Sequence, residues 1–226
     1  MNIQKTILAV CTGSLLLSGC ATTGGESAGG SSNSDTAMRC AAFGAGGALL
    51  GAVLGGKSGA VKGAVAGLAA CAVVEIASRQ TKSSAEVDRQ YRVSNRNQLP
   101  PNAKIDSYST LVTPNGIVKA GDAIKIQSTI RAVSGANEPV QEIREVLIAY
   151  APTGEEFKRG EKKVNDSAGS GEYDNSFTLR LPQGAPQGIY RLKTQVFLNG
   201  RPMIAKETNM QVAELSGART LASLDR

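Results

Sequence analysis

The 226-residue chain contains no histidine and no tryptophan. Without histidine it lacks the commonest general base near neutral pH and the commonest neutral metal ligand. Aromatic residues are few, four Phe and five Tyr, and the tyrosines Tyr91, Tyr108 and Tyr173 are too scattered to suggest a carbohydrate platform. Neither a C-x-x-C redox pair nor a zinc-type ligand spacing occurs among the four cysteines. A G-x-S-x-G elbow is absent, and no S-x-x-K stands beside a partner set. The closest carboxylate pairs, Glu155–Glu156 and Glu142-x-x-Glu145, read as surface charge. Residues 51–58, GAVLGGKS, fit the phosphate-loop register G-x-x-x-x-G-K-[ST], but no strand precedes them and they sit inside a glycine repeat, so the context that motif needs is missing. These absences imply a protein that is not an enzyme, with no catalytic residue, no metal site and no cofactor. Modest charge and few aromatics also argue against nucleic acid as a partner.

What is present begins at the N-terminus. Lys5 gives a short positive region, residues 6–17 an apolar core, and Ser18-Gly19 small residues before Cys20. That core is shorter than the about 20 residues of a membrane-spanning helix, as a secretory leader should be. Leu17-Ser18-Gly19-Cys20 resembles the lipobox of bacterial lipoproteins. The resemblance implies cleavage between Gly19 and Cys20, diacylglycerol on the Cys20 sulfur and acylation of the new N-terminus, palmitate being a typical chain. With several acyl chains, membrane anchoring is effectively permanent. Ala21, not Asp, follows the cysteine, which under the familiar sorting rule implies the outer membrane, with the body facing the periplasm. Loss of residues 1–19 removes Lys5 and lowers the formal net charge from +6 to +5. That balance suits anionic headgroups or peptidoglycan, or simply a solvated surface.

Residues 20–39 are small and polar and read as a flexible tether. Next, Gly47, Gly51, Gly55, Gly59, Gly63 and Gly67 recur at every fourth position, with Ala, Val and Leu between them. Glycine inside a helix costs about 1 kcal/mol relative to alanine, so the series implies a return: a strip along which a second backbone approaches closely. Gly55-Gly56-Lys57-Ser58-Gly59 is a turn signal that divides the region into two arms. The expectation is a helical hairpin over 40–77 that crosses a thin membrane, dips into one leaflet, or self-associates. Cys40 and Cys71 fall near its open end, either bonded or as two small buried thiols. The segment resembles the glycine-zipper regions of bacterial outer-membrane lipoproteins. That resemblance implies envelope location and membrane association but no activity.

Residues 78–103 turn polar and basic, with Arg79, Lys82, Arg89, Arg92 and Arg96 opposed by Glu86 and Asp88. They predict a surface helix to about Val93, continuing from the second arm and ended by a linker at Pro100-Pro101. The basic side chains suit headgroup contact or a wet helix face.

Beyond Pro101 the apolar period switches to two. Ile124, Ile126, Ile130 and Ala132 alternate with polar residues, as do Val146, Ile148 and Tyr150, then Phe177, Leu179 and Leu181, then Tyr190, Leu192, Val196 and Leu198. Asn199-Gly200 is a strong hairpin signal, leading to Ile204, Met210 and Val212. With IDSYSTLV and a weaker run around Phe157, about seven strands result. They predict a mainly β chain whose body, residues 104–214, is a seven-stranded sandwich, followed by a flexible tail over 215–226. The spacing resembles immunoglobulin-like and fibronectin-type modules of exported bacterial proteins, without the Cys…Trp…Cys pattern of antibody domains. The whole predicts an outer-membrane, lipid-anchored structural or interaction protein that self-associates or joins an envelope complex. A peptidoglycan- or polysaccharide-binding lipoprotein is the alternative.

Overall fold

A computed structural model describes residues 62–213. Residues 62–71 form helix α1, and nine strands and a second helix follow: β1 (Val73–Lys82), α2 (Ser84–Ser94), β2 (Lys104–Thr113), β3 (Ile117–Val118), β4 (Ala123–Val133), β5 (Ile143–Tyr150), β6 (Glu156–Lys163), β7 (Gly171–Arg180), β8 (Gly188–Leu198) and β9 (Arg201–Val212). The strands make two sheets, ordered β1-β7-β4-β2 and β3-β9-β8-β5-β6. Every pairing is antiparallel except the two-residue β3 against β9. The inner faces bury Ile, Val, Leu, Phe and Tyr side chains between them. This is a β-sandwich. Its first sheet follows the A-B-E-D order of an immunoglobulin-type sheet, with β2, β4 and β7 as the first three and β1 in the fourth place.

β1 departs from the sequence expectation. Residues 73–77 were expected to close the second helical arm and the following stretch to continue it as helix. Instead α1 ends at Cys71, and Val73 begins a strand that pairs with β7 from Val73↔Arg180 onward. The local chemistry explains this. Val73, Val74 and Ile76 are β-branched, which disfavours helix and favours strand. From Val73 to Ser78, exposed and half-buried side chains alternate at period two. The sandwich therefore begins at residue 73, ahead of the expected boundary at 104. The expected helix survives only as α2. Ser83 caps it by accepting from the Glu86 amide, and Val87 and Tyr91 bury its inner face against Val133 and Leu99.

β1 also closes one side of the sandwich over β6. Gly160 of β6 leaves room there: a Cβ on it would lie 2.9 Å from Val74 Cγ1 and 3.4 Å from the Phe177 ring. At the same end α1 is seated on the core. Leu68 and Ala72 are 1% and 2% exposed and belong to the same apolar cluster as Phe157, Phe177 and Tyr190. Burying Leu68 alone is worth roughly 1.5–3 kcal/mol. Ala72, a single residue, separates α1 from β1, so the glycine-rich segment enters the sandwich without a linker.

Candidate functional site

Most of the residues singled out upstream, Gly19, Cys20, Cys40, Gly47, Gly51, Gly55 and Gly59, lie outside the described residues. Gly63 and Gly67 sit on α1, with Gly67 buried beside Leu68 and Gly63 half-buried. Cys71 is the half-buried last residue of that helix. Among the described residues no helix is long and apolar enough to cross a membrane.

The carboxylate pair at Glu142 and Glu145 requires correction. Glu142 is half-buried, but Glu145 is fully buried in the centre of the sandwich. With it the phase of β5 changes: Ile143, Glu145, Leu147 and Ala149 form the inward row, while Ile148 and Tyr150 are half-buried on the outer side. Val146, also expected inside, is buried on that outer side of the strand. The expected phase followed the apolar residues and skipped a charged one. Glu145 is nevertheless satisfied. Its Oε1 accepts from Tyr108 Oη and Ser128 Oγ, each at 2.6 Å, and its Oε2 accepts from Asn175 Nδ2 at 2.7 Å. Tyr108 Oη is also 2.6 Å from Thr194 Oγ1. A phenol has one proton, so with that proton on Glu145 the threonine hydroxyl donates to Tyr108.

These five residues come from five strands, β2, β4, β5, β7 and β8, and lie at one level. On β4 the apolar row is Ile124, Ile126, then Ser128, then Ile130 and Ala132. On β7, Phe177 and Leu179 lie on one side of Asn175 and Tyr173 on the other. Thr194 divides β8 in the same way. The polar layer thus separates one apolar cluster, holding Ile126, Phe177 and Leu192, from a second, holding Ile130, Tyr173 and Val196. No ion pair among the described residues includes Glu145, so neutral donors alone hold it. Burial, with the Glu145 charge beside it, holds the Tyr108 hydroxyl well above the ordinary phenol range. The layer can fix strand register: a slip by one residue would turn a strand's buried row to the outside, and a slip by two would set an apolar side chain such as Ile126, Phe177 or Leu192 against the carboxylate. Sealed from solvent, it offers no access to a substrate.

The tyrosines weighed as carbohydrate contacts are buried too: Tyr91, Tyr108 and Tyr173 are 9%, 8% and 3% exposed. Glu155 and Glu156 are exposed as expected, and Glu156 accepts from Arg159 at 2.9 and 3.0 Å.

Two surface features remain. The outer face of the first sheet carries a shallow polar trough of about 630 Å³, floored by Ala77, Arg79, Gln127, Thr129, Asp174 and Ser176. Strand register places Arg79 and Thr129 on either side of Asp174. Both donate to it, at 2.9 and 3.1 Å, so its central charge is already paired. The second feature is α2. Ala85, Arg89, Arg92 and Val93 point away from the buried Val87 and Tyr91, and with Asp88 and Asn97 they line one groove. Val93 is 83% exposed there.

No family model and no curated protein matches the chain. Similar solved structures include a CARDB domain from Pyrococcus furiosus, 12% identical, matched over 52% of this chain and 94% of that one with a TM-score of 0.33. The C-terminal domain of wzt is 13% identical over 51% of this chain and 76% of that one, with a TM-score of 0.38. A Bacteroides uniformis beta-glucuronidase is 13% identical over 50% of this chain and 14% of that one, with a TM-score of 0.34. Likenesses at this level carry no argument about activity, and the sandwich stands on its own sheet order and core.

Proposed function

We propose that the chain is a non-enzymatic, lipid-anchored component of the bacterial outer membrane, facing the periplasm, whose immunoglobulin-like sandwich presents sheet edges and loops to an envelope partner. The single observation that carries this reading is continuity. The glycine series that follows LSGC ends in α1, whose Gly67 and Leu68 are buried against the sandwich, and one residue later the chain is already in β1. An anchor at Cys20 would then act on the folded body through a packed helix instead of a loose tether alone. In this reading the Gly47–Gly67 strip forms a helical hairpin or an oligomer contact, and a Cys40–Cys71 disulfide limits how far its arms separate. Sheet edges are available for a partner: among the described residues β2 pairs only with β4, and β9 meets β3 only at Gln211 and Val212.

The test is metabolic labelling with palmitate. Label should enter the wild-type protein and be lost, with precursor accumulating, in Cys20→Ser. Absence of label from the wild type defeats the anchor. Mild crosslinking in membranes, run beside a sacculus pull-down, then separates the interaction reading from peptidoglycan binding. A reproducible protein complex without sacculus retention supports the first; retention on purified sacculi supports the second.

A further inference from the structure

We propose that the outer face of α2 and the turn after it dock on a membrane surface of anionic lipid headgroups. The inference rests on the envelope reading above and adds to it a second, electrostatic contact built into the sandwich itself.

Ten arginines lie among the described residues. Arg79, Arg131, Arg144, Arg159, Arg180 and Arg201 each have a carboxylate within ion-pair distance. Arg191 lies over the Tyr150 ring, 4.4 Å from its centroid. The three left, Arg89, Arg92 and Arg96, are exposed, have no ion-pair partner among the described residues, and fall within eight positions of one another. Elsewhere on the body each arginine has a carboxylate or, for Arg191, an aromatic ring beside it; these three have neither.

Glu86 and Asp88 offset part of this positive charge, leaving residues 84–96 a formal charge of +1, but neither is within ion-pair distance of these arginines. Asp88 accepts from Ser170 Oγ of the sandwich, and Glu86 accepts from Gln90 Nε2 along the helix. Between the arginines stands Val93, the most exposed of the large apolar side chains. Cationic side chains around a projecting apolar one suit an interface with charged headgroups above an apolar layer. A soluble polyanion matches the charge but gives Val93 nothing to enter.

The turn after α2 adds a second, independent observation. The Asn97 amide donates to the Arg92 carbonyl at 2.8 Å, the six-to-one bond of a Schellman ending. The left-handed position of that motif, normally glycine, is held by Arg96 with φ 53°. An L-residue with a long side chain is disfavoured there. The fold thus carries an arginine where its own stability would favour glycine, and that arginine extends the cluster.

The test uses residues 21–226, which carry neither the acyl chains nor the apolar leader that Cys20→Ser would leave uncleaved, and compares flotation with phosphatidylcholine vesicles against vesicles containing phosphatidylglycerol. Binding should rise with phosphatidylglycerol and fall with salt. Arg89→Gln, Arg92→Gln and Arg96→Gln combined should lower the phosphatidylglycerol-dependent part about a hundredfold, at about fivefold per arginine. The matching lysine triple variant should retain most of it. Unchanged far-ultraviolet circular dichroism certifies the fold in each case, since Val87 and Tyr91 are untouched. The proposal is overturned if the glutamine variant keeps its phosphatidylglycerol dependence, or if the parent shows none. It is equally overturned if a soluble anionic polysaccharide binds through the same arginines while the vesicles do not. Palmitate labelling of the protein with Cys20 intact is unaffected by these arginines, so failure here and failure of the anchor are read separately.

Discussion

Tyr108 on β2 donates its hydroxyl proton to Glu145 on β5, in the opposite sheet, over 2.6 Å. That bond ties the two layers together at the centre of the core and makes the glutamate a structural residue. Its replacements should separate sharply. In Glu145→Ala the hydroxyls of Tyr108 and Ser128 and the amide of Asn175 all lose their acceptor in a buried site. The expected loss is about 3–5 kcal/mol. Glu145→Gln keeps an acceptor for Tyr108 and Ser128. Its new amide can donate to Asn175 Oδ1, now buried without a partner, if that side chain flips, which leaves Asn175 Nδ2 unpaired in its place. Its stability should stay within about 1 kcal/mol of wild type. Urea unfolding of both variants checks this, and equal losses would refute the account.

Alkaline pH should unfold the protein. Burial is the main cause holding the hydroxyls of Tyr108, Tyr173 and Tyr190 above the ordinary phenol value of 10.0, with Glu145 adding to it at Tyr108 and Asp166 at Tyr173. For a raised pKa the folded state keeps its proton where the unfolded state releases it. The stabilisation is therefore complete below pH about 10 and is lost as pH rises beyond it. Tyrosinate absorbance from these three residues should appear together with loss of β-sheet circular dichroism, not before it. Tyr108→Phe should make this alkaline loss shallower while costing stability at neutral pH.

Much of the sandwich was legible because its strands alternate cleanly. Ile124–Ala132, Phe177–Leu181 and Tyr190–Leu198 each show one apolar face, and Asn199-Gly200 marks the last hairpin, with φ 50° and 78° at its two residues. The gaps in those rows, at Ser128, Asn175 and Thr194, were in view but carried no meaning singly. Only the fold brings them to one level around Glu145. On β5 the glutamate reversed the apparent phase, because a charged residue at an inward position looks like the solvent side. β1 was hidden for another reason. It follows a glycine-rich helical run, its alternation is broken by Ala77 and Ser78, and its partner β7 is about a hundred residues away. The free arginines were visible as a basic stretch, but which of them lack carboxylates depends on tertiary pairing.

The closure of β1 over β6 is tested at Gly160. A Cβ there meets the Val74 Cγ1 methyl at 2.9 Å, a contact that alanine could relieve only by turning that stiff side chain or by shifting β1. Valine adds two further carbons at the same place. Gly160→Ala should cost about 1–3 kcal/mol by overpacking, and Gly160→Val should cost more. Amide exchange should quicken along residues 73–82 first and leave the β5–β8 pairing protected. Uniform destabilisation of both sheets would mean that β1 is not an edge added to the sandwich but part of its cooperative centre.

Arg96 allows stability and surface contact to be moved in opposite directions by one substitution. Its φ of 53° places it in the left-handed region, where glycine has no Cβ to clash. Arg96→Gly should therefore raise stability by about 0.5–1 kcal/mol, somewhat offset by the greater freedom glycine gives the unfolded chain. The same change removes one of three open charges and should weaken binding to phosphatidylglycerol vesicles about fivefold. Arg96→Lys keeps both the backbone strain and the charge and should alter neither quantity much. Thermal melts and vesicle flotation on the two variants give four readings. If glycine stabilises the fold and leaves flotation intact, Arg96 is a poor cap and nothing more; if it weakens both, the turn supports α2 in a way its hydrogen bonds do not explain.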